Sequence, residues 1–167
     1  MKVEKSKLRF FTQFIGIGLL AIVLLNSCDE TVKDEDVPEI DISAADAFPK
    51  NCVTVYRGED FVYKIRLTDN MELGSYSIEM HHNFDHHTHS TSLVECQFEP
   101  IKSAVSPLLF ISQYAIPAQL KEYTATGTIS IPETVDTGDY HFMIRVTDAS
   151  GWQTFEDISV KVAERVN

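Results

Sequence analysis

Five of the six histidines of this 167-residue chain fall within nine residues, HHNFDHHTH, running from His81 to His89. Neutral imidazole is the commonest metal ligand near neutral pH. A transition metal needs three or four such donors to converge on it. His87 and His89 stand two apart, so an extended backbone projects them to the same side. Asp85 offers a carboxylate that either ligates directly or orients an imidazole from behind. The plainer reading is a polar, histidine-rich loop that holds no metal. The two readings differ in whether the fold brings the sixth histidine, His141, to the same place.

The segments on either side of the cluster read as β-strands. Apolar residues recur with a period of two, in short runs punctuated by turn residues. Phe61, Tyr63, Ile65 and Leu67 alternate with polar positions, and Thr68-Asp69-Asn70 ends that run. Tyr76, Ile78 and Met80 alternate in the next, Ile129 and Ile131 in a later one, and Tyr140, Phe142, Ile144 and Val146 in another. Ala149-Ser150-Gly151 is a hairpin turn, after which Ile158, Val160 and Val162 close the series. Residues 97–122 are broken by Pro100, Pro107 and Pro117, so edge strands and loops are expected there. Six or seven short strands without a helical period predict an all-β chain, an immunoglobulin-like β-sandwich of about seven strands.

The stretch from Gly138 to Trp152, GDYHFMIRVTDASGW, resembles the F strand and F–G turn of bacterial immunoglobulin-like domains, and Thr68-Asp69-Asn70 their B–C loop. That likeness makes 61–67 strand B, 74–82 C, 124–131 E, 138–147 F and 155–162 G, with Tyr140 as a corner tyrosine. Strands C and F are then antiparallel neighbours. Core faces must match across the pair. If Met80 faces Phe142, Ile78 faces Ile144 and Tyr76 faces Val146, all on the buried side. The same register sets His81 opposite His141 on the other face. Directly opposed residues have Cβ atoms about 4.5–5.5 Å apart, near enough for two imidazoles to share one ion. The candidate ligand set is His81, His87, His89 and His141. His82 points to the core side on this parity and ranks lower, as does His86, the odd neighbour of His87.

These residues resemble the signature of a set of Bacteroidota-type lipoproteins with a single immunoglobulin-like domain of unknown function. The pattern is His-x-x-Phe-Asp-x-His-x-His followed at a distance by Gly-x-Tyr-His. Here it falls on His81, Phe84, Asp85, His87 and His89, then on Gly138, Tyr140 and His141. The resemblance spans nearly the whole chain after its first 27 residues. It implies a lipoprotein with a histidine site, and no activity.

Residues 1–27 read as a lipoprotein signal peptide. Lys2, Lys5, Lys7 and Arg9 precede an apolar run from Phe14 to Leu25, shorter than the roughly 18 residues a membrane helix needs. Leu25-Asn26-Ser27-Cys28 resembles the lipobox of bacterial lipoproteins, with Cys28 as the lipidated residue. An ordinary signal peptide and an uncleaved anchor are the alternatives. Residues 28–37 then form an acidic tether, with DETVKDED from Asp29 to Asp36 expected to be solvated. It resembles a surface-export signal, or is a plain spacer. The domain proper spans 38–163.

Removing residues 1–27 takes four basic residues from 14 and Glu4 from 25 acidic ones, leaving 10 against 24. So acidic a chain excludes nucleic acid as a partner, since phosphates demand Lys and Arg. Cys52 and Cys96 remain, and outside the cytoplasm an even pair suggests a disulfide. Free thiols and thiolate metal ligands are the other readings. His81, His87 and His89 with a water would meet the count of a catalytic zinc. However, the chain has no HExxH helix, nucleophile elbow or phosphate loop. Its spacings also differ from those of copper-zinc superoxide dismutase, so no enzyme is expected. The expectation is an envelope lipoprotein, anchored by lipid to the outer membrane on its periplasmic or outer face. It binds zinc, or copper as the alternative, for capture, buffering or sensing, with an outer-membrane transporter as partner by analogy. The competing reading is a protein- or glycan-binding module whose histidines are structural or pH-sensitive. Asp69 and Asp148 fall at the opposite end of the C–F pair, where turn formation is a readier role than calcium binding. Trp152 reads as a packing residue.

Overall fold

The computed structural model describes residues 33–88 and 96–166, so the signal sequence, Cys28 and His89 lie outside the described residues. Eight strands follow one another: β1 (Glu39–Asp41), β2 (Val53–Tyr56), β3 (Asp60–Thr68), β4 (Leu73–His82), β5 (Phe110–Ala115), β6 (Glu122–Ser130), β7 (Gly138–Asp148) and β8 (Gln153–Ala163). Among the described residues there is no helix.

The strands divide into a three-stranded sheet, β1-β3-β6, and a five-stranded sheet, β2-β8-β7-β4-β5. This partition, with B and E in one sheet and C, F and G in the other, is that of an immunoglobulin-like sandwich. The count is eight rather than about seven, because the first edge is split. β1 pairs antiparallel with β3, and the chain then crosses so that β2 pairs parallel with β8 on the other sheet. β5 forms within the proline-broken stretch, as an outer strand against β4.

Alternation fixes which face of each strand is buried. In β3 every second residue, from Phe61 to Leu67, is buried while its neighbours are exposed. β4 begins with a register shift between Leu73 and Ser75. Beyond it Tyr76, Ile78 and Met80 face inward. The β4–β7 pairing sets Tyr76 against Val146, Ile78 against Ile144, Met80 against Phe142 and His81 against His141, the register read from parity. Phe142 joins the two sheets, meeting Phe61 edge-on at 5.5 Å between centroids and Tyr63 at 5.9 Å. Burying each such side chain contributes about 1.5–3 kcal/mol. Tyr63 lies over its register partner Gly127, where a β-carbon would collide with the phenol ring.

The described part of the long connection between β4 and β5, from Cys96 on, lies along the five-stranded sheet, and three groups of contacts fix it. The Asp136 carboxylate accepts from the backbone amides of Val105 and Ser106 at 2.7 and 2.8 Å, which holds it below the usual carboxyl range. Asp139, itself buried, accepts from the Glu99 amide at 2.7 Å. A disulfide joins Cys52 to Cys96, Cα to Cα 5.4 Å. Tyr140 acts as the corner tyrosine. Its hydroxyl donates to the Asp136 carbonyl four residues upstream at 2.7 Å and accepts from the Leu108 amide at 3.2 Å.

Two residues depart from expectation. Asp34 belongs to a run expected to be solvated, yet it is buried. Trp152 is 44 % exposed rather than packed into the core. Its indole Nε1–H donates to the Asp34 carbonyl at 3.1 Å.

Candidate functional site

His81 closes β4 and His141 sits near the start of β7, opposed across the ladder on the face away from the core. The chain leaving β4 turns through Asn83 and Phe84 and returns His87 over the pair. Phe84 anchors that turn, buried edge-on against Tyr140 at 5.3 Å. Three imidazoles thereby converge. Ring centroids are 5.5 Å apart for His81–His141, 5.1 Å for His87–His141 and 5.4 Å for His81–His87. The two Nε2 atoms of His81 and His87 stand 3.2 Å apart.

Each of these rings has a carboxylate at its Nδ1. Asp157 Oδ1 accepts from His141 at 2.8 Å, with both side chains under 10 % exposed. Asp85 Oδ1 accepts from His87 at 2.6 Å, and that bond lowers the Asp85 carboxyl. Glu79 Oε1 lies 3.0 Å from His81 Nδ1. A carboxylate that accepts from Nδ1, as at His87 and His141, fixes the tautomer and makes Nε2 the metal-facing atom, the usual arrangement behind histidine ligands. Two nitrogens bound about 2.0–2.1 Å from one tetrahedral zinc stand about 3.3 Å apart, close to the His81–His87 separation.

His141 carries a further constraint. Its Nε2 lies 3.1 Å from the His87 carbonyl oxygen. With acceptors at both nitrogens, the ring is bonded as an imidazolium. Burial would lower its pKa; the hydrogen bond and charge of Asp157, with the His87 carbonyl and the Asp85 charge, outweigh burial and raise it. Any ion taken by His141 must displace both that proton and the bond to the His87 carbonyl.

Of the residues singled out in sequence, His81, His87 and His141 come together with Asp85 behind His87. His86 turns away. Its backbone is left-handed, φ +59°, and its ring stacks on Phe98 at 5.0 Å with Nε2 2.9 Å from the Glu99 carbonyl. His82 packs beside Phe84 at 4.8 Å, on the side parity assigned to it. Cys52 and Cys96 are bonded to each other. Glu79 and Asp157 were missed, although parity could have found both. Glu79 is two residues from His81 on the same face. In β8, with Ile158 and Val160 inward, Asp157 and Ser159 share the face of His141, and Asp157 is its diagonal neighbour.

Fold and site together define an immunoglobulin-like β-sandwich with a carboxylate-backed histidine cluster at one end of its β4–β7 ladder. Residues 26–163 match the family described as a domain of unknown function, DUF4625, and the chain belongs to that family. No curated protein matches it.

Proposed function

We propose that this protein is a lipid-anchored protein of the cell envelope that binds one first-row transition metal, zinc first and copper second, through His81, His87 and His141. His89 is the fourth ligand proposed from its spacing. The observation that carries this reading is the set of three converging imidazoles, each with a carboxylate at Nδ1. An all-imidazole set suits zinc and copper alike, and four protein ligands would suit capture, buffering or sensing better than catalysis. Lipidation at Cys28 and an outer-membrane transporter as partner rest on the N-terminal sequence pattern and on analogy.

Elemental analysis of the chain, purified without a His tag, followed by zinc titration, tests the proposal. One zinc per chain is expected, with His81→Ala or His141→Ala each weakening binding strongly and His86→Ala only mildly. A His81→Ala/His141→Ala variant that binds zinc like the parent would falsify the shared-ion arrangement.

One observation favours a second reading. His141 already has a partner at both nitrogens, as a purely structural or pH-sensing histidine would. A binding module of that kind would show no zinc uptake by the same titration.

A further inference from the structure

A second cluster lies at the far end of the same ladder. Leu73 pairs with Asp148 there, seven residues along β7 from His141, or about 23 Å at about 3.3 Å per residue. Asp34, from the segment before β1, Asp69, from the β3–β4 loop, and Asp148, at the end of β7, each bring one carboxylate oxygen within 4.8 Å of the others.

Turn formation accounts for only part of this cluster. Asp69 Oδ2 accepts from the amides of Met71 and Glu72 at 2.7 and 2.6 Å, and Asp148 Oδ1 from the Trp152 amide at 2.8 Å. Asp34 accepts from the Asp36 amide and the Ser150 hydroxyl at 3.3 and 3.2 Å. Asp69 Oδ1 and Asp148 Oδ2 are left buried with no hydrogen-bond partner among the described residues. Asp148 is 4 % exposed and Asp34 7 %. A buried carboxylate oxygen without a proton donor is costly, and three gathered carboxylates are costlier still, unless a cation lies between them.

We infer that Asp34, Asp69 and Asp148 form a calcium site that fastens the segment leading into the domain onto the end of the β4–β7 ladder. All donors are oxygen, which selects a hard cation rather than the metals suited to imidazole. Ligands about 2.4 Å from one Ca²⁺ can stand up to about 4.8 Å apart. The donors come from three separate segments, and calcium tolerates that irregularity where magnesium requires a near-ideal octahedron. Waters complete the coordination shell. The site shares no residue with the histidine cluster, so either can fail alone.

Trp152 supplies the test. It is the sole tryptophan of the chain, and it bonds to both Asp34 and Asp148. Tb³⁺, a luminescent stand-in for Ca²⁺, is titrated into the purified full chain in detergent with indole excitation. Saturable emission, displaced by Ca²⁺ but not by equal Mg²⁺, is expected. Ca²⁺ should also raise the melting temperature. Asp69→Asn and Asp34→Asn should each weaken Ca²⁺ binding by about tenfold or more, since affinity follows ligand charge. Trp152→Phe should lose the emission and keep the Ca²⁺-dependent melting shift. Asp34 lies in no strand, so Asp34→Asn remains informative if Asp148→Asn fails to fold. Absence of any Ca²⁺-dependent shift at millimolar Ca²⁺, or a full shift and full emission surviving in Asp34→Asn and Asp69→Asn, overturns the site.

Discussion

The Asp157 carboxylate receives the Nδ1–H of His141 where both side chains are under 10 % exposed, so it governs both the tautomer and the charge of that ring. Asp157→Asn keeps the shape and removes the charge. On the metal reading it should weaken zinc binding by about 10–100-fold, the usual cost of losing a residue that orients a ligand. Competition against a chromophoric chelator measures this, and unchanged affinity would mean that His141 takes no part. The same pair sets a pH dependence with a definite sign. The folded pKa of His141 is raised above an unfolded value of about 6.5. Its stabilising contribution is therefore complete below about pH 6.5 and lost as pH rises through the folded value. On the metal reading zinc reverses the trend, because protons compete for the same nitrogens as pH falls. Urea midpoints of the metal-free protein, corrected with a His141→Gln reference, should show a His141 contribution that declines with rising pH. The extra stability given by zinc should grow over the same range. Parallel slopes would contradict the shared role of the ring.

Among the elements, β7 bears most of the organisation: core on one face, His141 and Asp139 on the other, and the corner tyrosine at its start. Tyr140→Phe removes the hydroxyl that bonds the Asp136 carbonyl and the Leu108 amide. It should cost about 1–3 kcal/mol, the range for a buried group left unsatisfied, measured by chemical denaturation. The β4–β7 register was legible because both strands alternate strictly over their inward positions, and a slip by one residue would turn Met80 and Phe142 to the wrong face. β1 and β2 were not legible, since three and four residues hold too little period. β5 was obscured by the prolines around it. Asp157 was legible in principle, but only by carrying the register one strand further. Asp34 was hidden for a different reason. A run of acidic residues reads as solvated, and only the folded chain reveals that one of them meets two other carboxylates.

At the scale of the whole molecule, opposite ends of one ladder hold nitrogen donors and oxygen donors, while the turn after β4 brings His87 against the nitrogen end; the described chain resumes at Cys96, ahead of β5, in a strap along the sheet. Cys96 lies in that strap and Cys52 just before β2, 44 residues apart. Closing a loop of that size typically adds about 2–4 kcal/mol. A Cys52→Ser/Cys96→Ser variant should melt at lower temperature yet keep its strand content by circular dichroism. The covalent fastening has a consequence for where the chain can mature. In a compartment whose glutathione and thioredoxin keep thiols reduced, the two sheets would assemble on their own apolar faces without the Cys52–Cys96 link. The segment carrying Cys96 would then be held by its noncovalent contacts, those to Asp136 and Asp139 among them, until the thiols were oxidised.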